Sequence, residues 1–203
     1  MVIKNGKIFT MEEKQIECAY VRTKGKRIEE VGSMSSFKYK EDGERVLDVN
    51  GAWVLPGLIE SHAHIGITEE KWGIIGDDSN EETTPVTASL RAIDAVNPMD
   101  PAFHDAIEAG ILFSITTDHP VALIQTLPLC AGLAVKYGLP VEEGLKAITI
   151  NAARICRVDD RVGSLKKGKD ADIVVFSGNP MEVFTQTLCT IIDGEIIYEN
   201  FPK

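Results

Sequence analysis

Apolar and polar positions alternate in short runs over residues 1–54: V-I-K, K-I-F-T, A-Y-V-R-T, R-I-E-E-V and R-V-L-D-V. A period of two is the mark of strands with one buried face. The runs are cut by Asn5-Gly6, Lys24-Gly25-Lys26 and Asn50-Gly51. Asn-Gly between apolar alternations predicts a hairpin, because both central residues of a type I′ turn need positive φ. The pattern therefore predicts a small antiparallel β unit, with residues 33–43 a polar connection that has room for a short helix. Residues 54–65, V-L-P-G-L-I-E-S-H-A-H-I, read as a strand whose apolar run is interrupted by Pro56-Gly57 and closed by two histidines. Residues 66–87 show neither period and predict a long loop. Residues 89–96 and 101–109 predict helices, the second opened by Asp100 as N-cap with Pro101 at the first helical position and stopped by Gly110. Residues 111–117, I-L-F-S-I-T-T, are a second apolar β-type run. Residues 121–137 predict an apolar helix broken by Pro128 and ended by Gly138, and residues 141–155 another. Residues 171–176 predict a buried strand, and residues 187–192 and 195–199 a hairpin around Asp193-Gly194. Both ends of the chain are thus β and the middle is β/α.

Chemistry gathers at the ends of the two middle strands. His62 and His64 alternate on a strand, so they project from one face about 6–7 Å apart. Imidazole nitrogens bind zinc at about 2.0–2.1 Å, so one divalent cation can take both; the alternative is a polar pair at a strand end. Asp118 follows the second run, where barrel enzymes keep catalytic groups; taken alone it also suits the N-cap of the next helix. Asp77, Asp78, Glu81 and Glu82 lie in the long loop, either lining a site or solvated. His104, beside Asp105, reads as a surface histidine.

Composition narrows the classes. The chain has 203 residues, 44% of them hydrophobic, enough to bury a core in one or two domains. A formal net charge of -10 argues against a nucleic-acid partner, which would require clustered Lys and Arg. Cys18, Cys130, Cys156 and Cys189 form no C-x-x-C pair and suit small buried hydrophobes in a reducing, cytoplasmic compartment. The opening M-V-I-K-N-G-K-I-F-T lacks the pattern of a signal peptide, and no apolar run is long enough to span a bilayer. No nucleic-acid and no membrane partner is expected; a homo-oligomer is left open.

The string Pro56, Gly57, Leu58, Ile59, Glu60, Ser61, His62, Ala63, His64 resembles the first barrel strand of the amidohydrolase superfamily. Thr117-Asp118-His119-Pro120 resembles the eighth-strand signature of its imidazolonepropionase-related branches, and residues 149–176, from T-I-N-A-A-R-I-C to D-A-D-I-V-V-F, resemble its C-terminal signature. The resemblance implies a (β/α)8 TIM-barrel-type metal-dependent hydrolase, related to imidazolonepropionases and prolidase-like enzymes, plus a composite antiparallel β domain from both termini. It implies a β-sandwich from residues 1–54 and 163–203, and a partial barrel carrying the metal site from residues 55–162. His62, His64 and Asp118 are then metal ligands, with Asp118 also the proton-transfer carboxylate. Zinc is the expected metal, with iron or manganese as alternatives, and a small-molecule amide substrate is the expected partner.

The barrel is too short. Eight strands take about 250 residues, so strands two to seven are expected to be absent between Gly110 and Ile111, through residues left out of the sequence or through a deletion. A right-handed crossover would also place residues 111–117 on the second-strand side of strand one, where the eighth strand does not lie. His104 and His119 match no remaining ligand position. Two functions stay open: a metal-dependent hydrolase of a C–N amide bond in a cyclic amide or dipeptide-like substrate, and a catalytically inactive truncated scaffold. A thiol enzyme is disfavoured, because no cysteine has a neighbouring base or resolving partner in sequence.

Overall fold

A computed structural model describes residues 1–13, 15–40, 43–61, 109–117 and 123–201. They fall into two compact units, Met1–Ile59 with Arg157–Lys203, and Glu60–Cys156. The expected divisions fell at 54 and 162.

The first unit is built on an eight-stranded sheet that takes strands from both ends of the chain. Its strands are β1 (Val2–Ile8), β2 (Ile16–Lys24), β3 (Arg27–Ser33), β4 (Val46–Asp48), β5 (Trp53–Pro56), β6 (Ile173–Phe176), β7 (Thr187–Ile192) and β8 (Glu195–Glu199). The order is β3-β2-β1-β5-β6-β7-β8, with β4 also paired to β1. β6, I-V-V-F, is buried at all four positions, so both of its faces are covered.

The sheet is mixed, which corrects the expectation of an antiparallel unit. β4 and β5 both run parallel to β1. Asn5-Gly6 makes no hairpin; it is a bulge inside a continuous β1, with Asn5 at φ 59° and a register shift between Lys4 and Gly6. Asn50-Gly51, with φ 46° and 84°, is the matching jog between β4 and β5. Val49 N donates to Lys4 O (3.0 Å), Gly51 N to Asn5 O (2.7 Å) and Lys7 N to Ala52 O (3.0 Å), so the two irregularities fit each other. Asn5 Nδ2 donates to Asp48 Oδ2 at 2.8 Å across the join. Positive φ at Asn-Gly serves a bulge as well as a turn, and local pattern does not separate the two. Asp193-Gly194 does form the turn between β7 and β8, with φ 53° and 78°.

The two ends of the sheet meet through residues 169–171. Ile28 N donates to Lys169 O (2.9 Å), Ala171 N to Lys26 O (2.8 Å) and Gly194 N to Ala171 O (3.0 Å). One core results, in which Ile3, Val21 and Ile28 from one end pack with Val54, Ile173, Val175 and Ile191 from the other. Where two facing sheets were expected, one sheet folded on itself encloses this core.

In the second unit a 3-10 turn, Ile124–Thr126, leads into α1 (Leu127–Lys136). Pro128 sits in the first turn of α1, where its missing N–H costs nothing, so it opens this helix rather than breaking one. Gly138, at φ 118°, follows the helix end. The single helix expected over residues 141–155 is two, α2 (Val141–Ala147) and α3 (Ile150–Ile155). The break is at Thr149, whose φ of -138° and ψ of -99° are not helical and whose hydroxyl donates to Leu145 O at 2.6 Å.

Neither apolar run expected to carry the site is a strand throughout its described length. β5 stops at Pro56, and residues 57–61 and 111–117 carry no ladder among the described residues. Phe113, Ser114, Ile115 and Thr117 are buried while Ile111 and Leu112 are exposed, a block rather than an alternation. The Ile115 N–H is used by Ala147 O of α2 at 3.2 Å, not by a neighbouring strand. Gly110, at φ 66°, and Ile111 are consecutive residues of the chain. The loop expected over 66–87 and the helix over 89–96 lie outside the described residues, as does the helix expected over 101–109 apart from Ala109, which is in a turn. Among the described residues, no helix is long and apolar enough to cross a membrane.

Candidate functional site

His62, His64 and Asp118 lie outside the described residues, as do His104, His119 and the acidic residues 77, 78, 81 and 82. The residues leading into them are described. Residues 60–61, which run into His62, meet residues 111–117, which run into Asp118. Ser61 Oγ and Ser114 Oγ share a short hydrogen bond, and Thr117 Oγ1 donates to Glu60 Oε2. Ser61, Ser114 and Thr117 are buried, at 5%, 2% and 3% exposure, so these bonds are shielded from competing water. The Ile115 amide, tied to Ala147 O, holds the second segment against the end of α2 between the two hydroxyl contacts.

Glu60, Ser61 and Thr117 lie in the quoted motifs, but none of the four side chains was given a role from the sequence. The available signal was the three hydroxyl residues set into the run I-L-F-S-I-T-T, where a buried Ser or Thr needs a partner. The expected donor set of two imidazoles and a carboxylate suits a divalent cation. The described contact is between residues 60–61 and 114–117, which precede His62 and Asp118 in the chain. Among the described residues alone, no three His, Cys, Asp or Glu side chains are grouped to hold a metal.

The thiols divide by burial. Burial pushes the Cys130 thiol above its ordinary range, and the Glu60 carboxylate adds to the shift against the Thr126 hydroxyl. Burial first, then Glu199, pushes Cys189 up to about 11 against the opposing Arg45. Neither is a thiolate near neutrality. Cys18 and Cys156 are exposed, which corrects the expectation that all four are buried. Cys18, at φ 47°, lies where the β1/β2 register breaks, and Cys156 caps the end of α3, so neither side chain is carried into a packed face.

The sequence profile of the amidohydrolase family matches residues 79–197, a span that includes Asp118 but not His62 or His64. The chain belongs to the amidohydrolase family. Its curated relatives include an imidazolonepropionase of Fusobacterium nucleatum, 28% identical over 170 residues, covering 78% of this chain and 39% of the relative. Another is an imidazolonepropionase of Thermoplasma volcanium, 38% identical over 113 residues, covering 50% of this chain and 28% of the relative. A probable imidazolonepropionase of Xenopus laevis is 32% identical over 110 residues, covering 49% and 25%. The chain thus spans well under half the length of each of these relatives. Among solved structures, an amidohydrolase from Thermotoga maritima aligns with a TM-score of 0.69 at 18% identity, covering 98% of this chain and 100% of that one. A Xaa-Pro dipeptidase aligns at 0.65 and 13% identity, covering 98% and 99%. At such identities the likeness is one of fold alone.

Proposed function

We propose that this chain carries the metal-site segments of a hydrolase that cleaves a C–N amide bond in a small cyclic amide or a dipeptide-like substrate. The observation that carries the reading is the hydrogen-bonded contact between residues 60–61 and residues 114–117, which supports bringing His62, His64 and Asp118 to one centre. His62, His64 and Asp118 would hold a divalent cation, zinc first and iron or manganese as alternatives. Such a cation, when bound, supplies Lewis acidity toward a carbonyl oxygen and toward water. Asp118 accepts a proton from the attacking water and delivers it to the leaving nitrogen, so one carboxylate serves as base and then as acid. The imidazolonepropionase relatives and the dipeptidase neighbours support C–N hydrolysis as the reaction class.

We also infer that strands two to seven of the barrel are absent between Gly110 and Ile111. The short spans of the relatives covered by this chain support this, together with the length a closed barrel requires. Missing walls leave a site open to water, where the electrostatic effects that lower a barrier are weakened. The same inference supports the second reading, a catalytically inactive scaffold of the family. Four free thiols agree with a cytoplasmic setting.

The test is hydrolysis of a panel of cyclic amides and acyl dipeptides by the zinc- or manganese-loaded chain, beside the Thermoplasma volcanium imidazolonepropionase. Slow turnover that disappears in Asp118→Asn is expected, at least about a thousandfold below the reference, equivalent to some 4 kcal/mol of lost transition-state stabilisation. Turnover near the reference rate would show that the middle strands are dispensable. Turnover unchanged in Asp118→Asn would remove the role given to that carboxylate.

A further inference from the structure

Beside the turn between β2 and β3, the first unit holds a cavity of about 250 Å3 whose walls include Met1, Lys24, Glu29, Lys40 and Glu44. The Glu44 side chain is only 9% exposed. Its Oε1 accepts from Arg22 Nε at 2.8 Å, while its Oε2 is buried with no hydrogen-bond partner among the described residues. A carboxylate oxygen that gives up water without gaining a donor is costly. Arg22 is committed elsewhere: Nη1 donates to Glu30 Oε2 at 2.8 Å and Nη2 to Lys38 O at 2.6 Å. The other charges at the cavity divide into matched and unmatched. Lys40 Nζ donates to Glu29 Oε2 at 2.5 Å and holds the Glu29 carboxyl below its usual range. The Met1 amino group donates to Thr23 O at 3.1 Å. Lys24 is exposed; its ammonium acts on Glu29 through space, and among the described residues it takes no carboxylate of its own. The cavity thus lacks a donor for Glu44 and an acceptor for Lys24.

We propose that this cavity binds a small zwitterion, a free α-amino acid, whose ammonium group meets Glu44 and whose carboxylate meets Lys24. A bare metal cation suits the walls less well, because Lys24, Lys40 and the Met1 amino group face it alongside the two carboxylates, one of which Lys40 already takes. A simple anion leaves Glu44 without a donor and is repelled by it. A zwitterion answers both needs, with a charge-assisted hydrogen bond at each end. The flexible four-carbon stem of Lys24 lets its ammonium follow the ligand's carboxylate. Size narrows the class further: pockets for drug-sized ligands run from about 300 to about 1,000 Å3, so one of about 250 Å3 takes a smaller molecule. The cavity lies wholly within the first unit, which gives the β unit a binding role independent of the metal-site reading.

The experiment titrates the isotope-labelled 203-residue chain with glycine and with L-alanine to tens of millimolar and follows the backbone amide shifts by NMR. Methylammonium, acetate and magnesium chloride serve as single-charge probes. The expected result is a saturable shift centred on the amides of Thr23, Lys24, Gly25 and Glu44 with both amino acids. Each single-charge probe should bind at least about tenfold more weakly, since it forms one charge-assisted bond instead of two. Lys24→Met and Glu44→Gln should each weaken amino-acid binding about 10- to 100-fold, the worth of a hydrogen bond to a charged group. Glu44→Gln disturbs Arg22 as well, so thermal melting is run on both variants; exposed Lys24→Met carries the test where Glu44→Gln fails to fold. No saturable shift with either amino acid, or shifts centred elsewhere, overturns the site and leaves Glu44 Oε2 to water alone. Binding of methylammonium or magnesium as tight as that of the amino acids overturns the zwitterion, as does affinity unchanged in Lys24→Met.

Discussion

Cys130 and Cys189 are buried with thiols shifted upward, whereas Cys18 and Cys156 face solvent. Because the thiolate is the reacting form, a native chain treated with an aromatic disulfide near neutral pH should label two thiols quickly. The other two should react only after unfolding. Fast reaction of all four would contradict the burial described. A second residue-scale expectation concerns Glu12. Burial acts to raise its pKa, but the Ser164 hydroxyl at 2.6 Å and the ammonium groups of Lys166 and Lys169 outweigh it and hold the carboxyl below its ordinary value. A group whose folded pKa is lowered binds fewer protons than it does in the unfolded chain. Its stabilising effect is therefore complete above the unfolded value, about 4.3, and is lost as pH falls through the folded one. The melting-temperature gap between wild type and Glu12→Gln should stay level near neutrality and close below that value. A gap that widens on acidification would reverse the sign. None of this pairing was legible beforehand, since Glu12 and Ser164 are 152 residues apart and no local pattern joins them.

At the scale of elements, the contrast between Asn5-Gly6 and Asp193-Gly194 shows where local reading succeeds. Both dipeptides promise positive φ, and both deliver it at the first residue. Only the second lies between two strands that pair with each other, so only the second is a hairpin. What decided the first was the partner strand: the Asn50-Gly51 jog lies opposite the bulge, and an added Cβ at Gly6 would come 2.7 Å from Val54 Cγ2. The same kind of close approach fixes Gly194, where an added Cβ would lie 2.0 Å from Gly25 O, a backbone atom with little freedom to yield. Gly25, also at positive φ, has open space around it. Gly194→Ala should therefore destabilise by more than the roughly 1–2 kcal/mol that left-handed backbone alone costs an alanine, and Gly25→Ala by about that amount only. Equal losses in urea unfolding would mean that the β7–β8 turn does not rest on the β2–β3 turn. The same lesson holds for residues 57–61 and 111–117. Their apolar runs read as strands, but the hydrogen bonds seen there go to Asp172, to α2 and to each other's side chains.

For the whole molecule, the alternation at both termini made the β unit legible, and the closing contacts through residues 169–171 could come only from the structure. The candidate ligands His62, His64 and Asp118, which lie outside the described residues, rest on residue types and spacing in local strings alone. The contacts between the residues that precede them were not legible, because they run between side chains 53 and 57 residues apart. Family membership rests on a match that begins after the two histidines, so the metal centre is the claim most in need of a direct measurement. That measurement is elemental analysis of the purified chain and of its His62→Ala, His64→Ala variant by inductively coupled plasma mass spectrometry. A stoichiometric transition metal in the wild type that is lost in the variant is the result predicted; a wild type free of metal, or equal metal in both proteins, would contradict it.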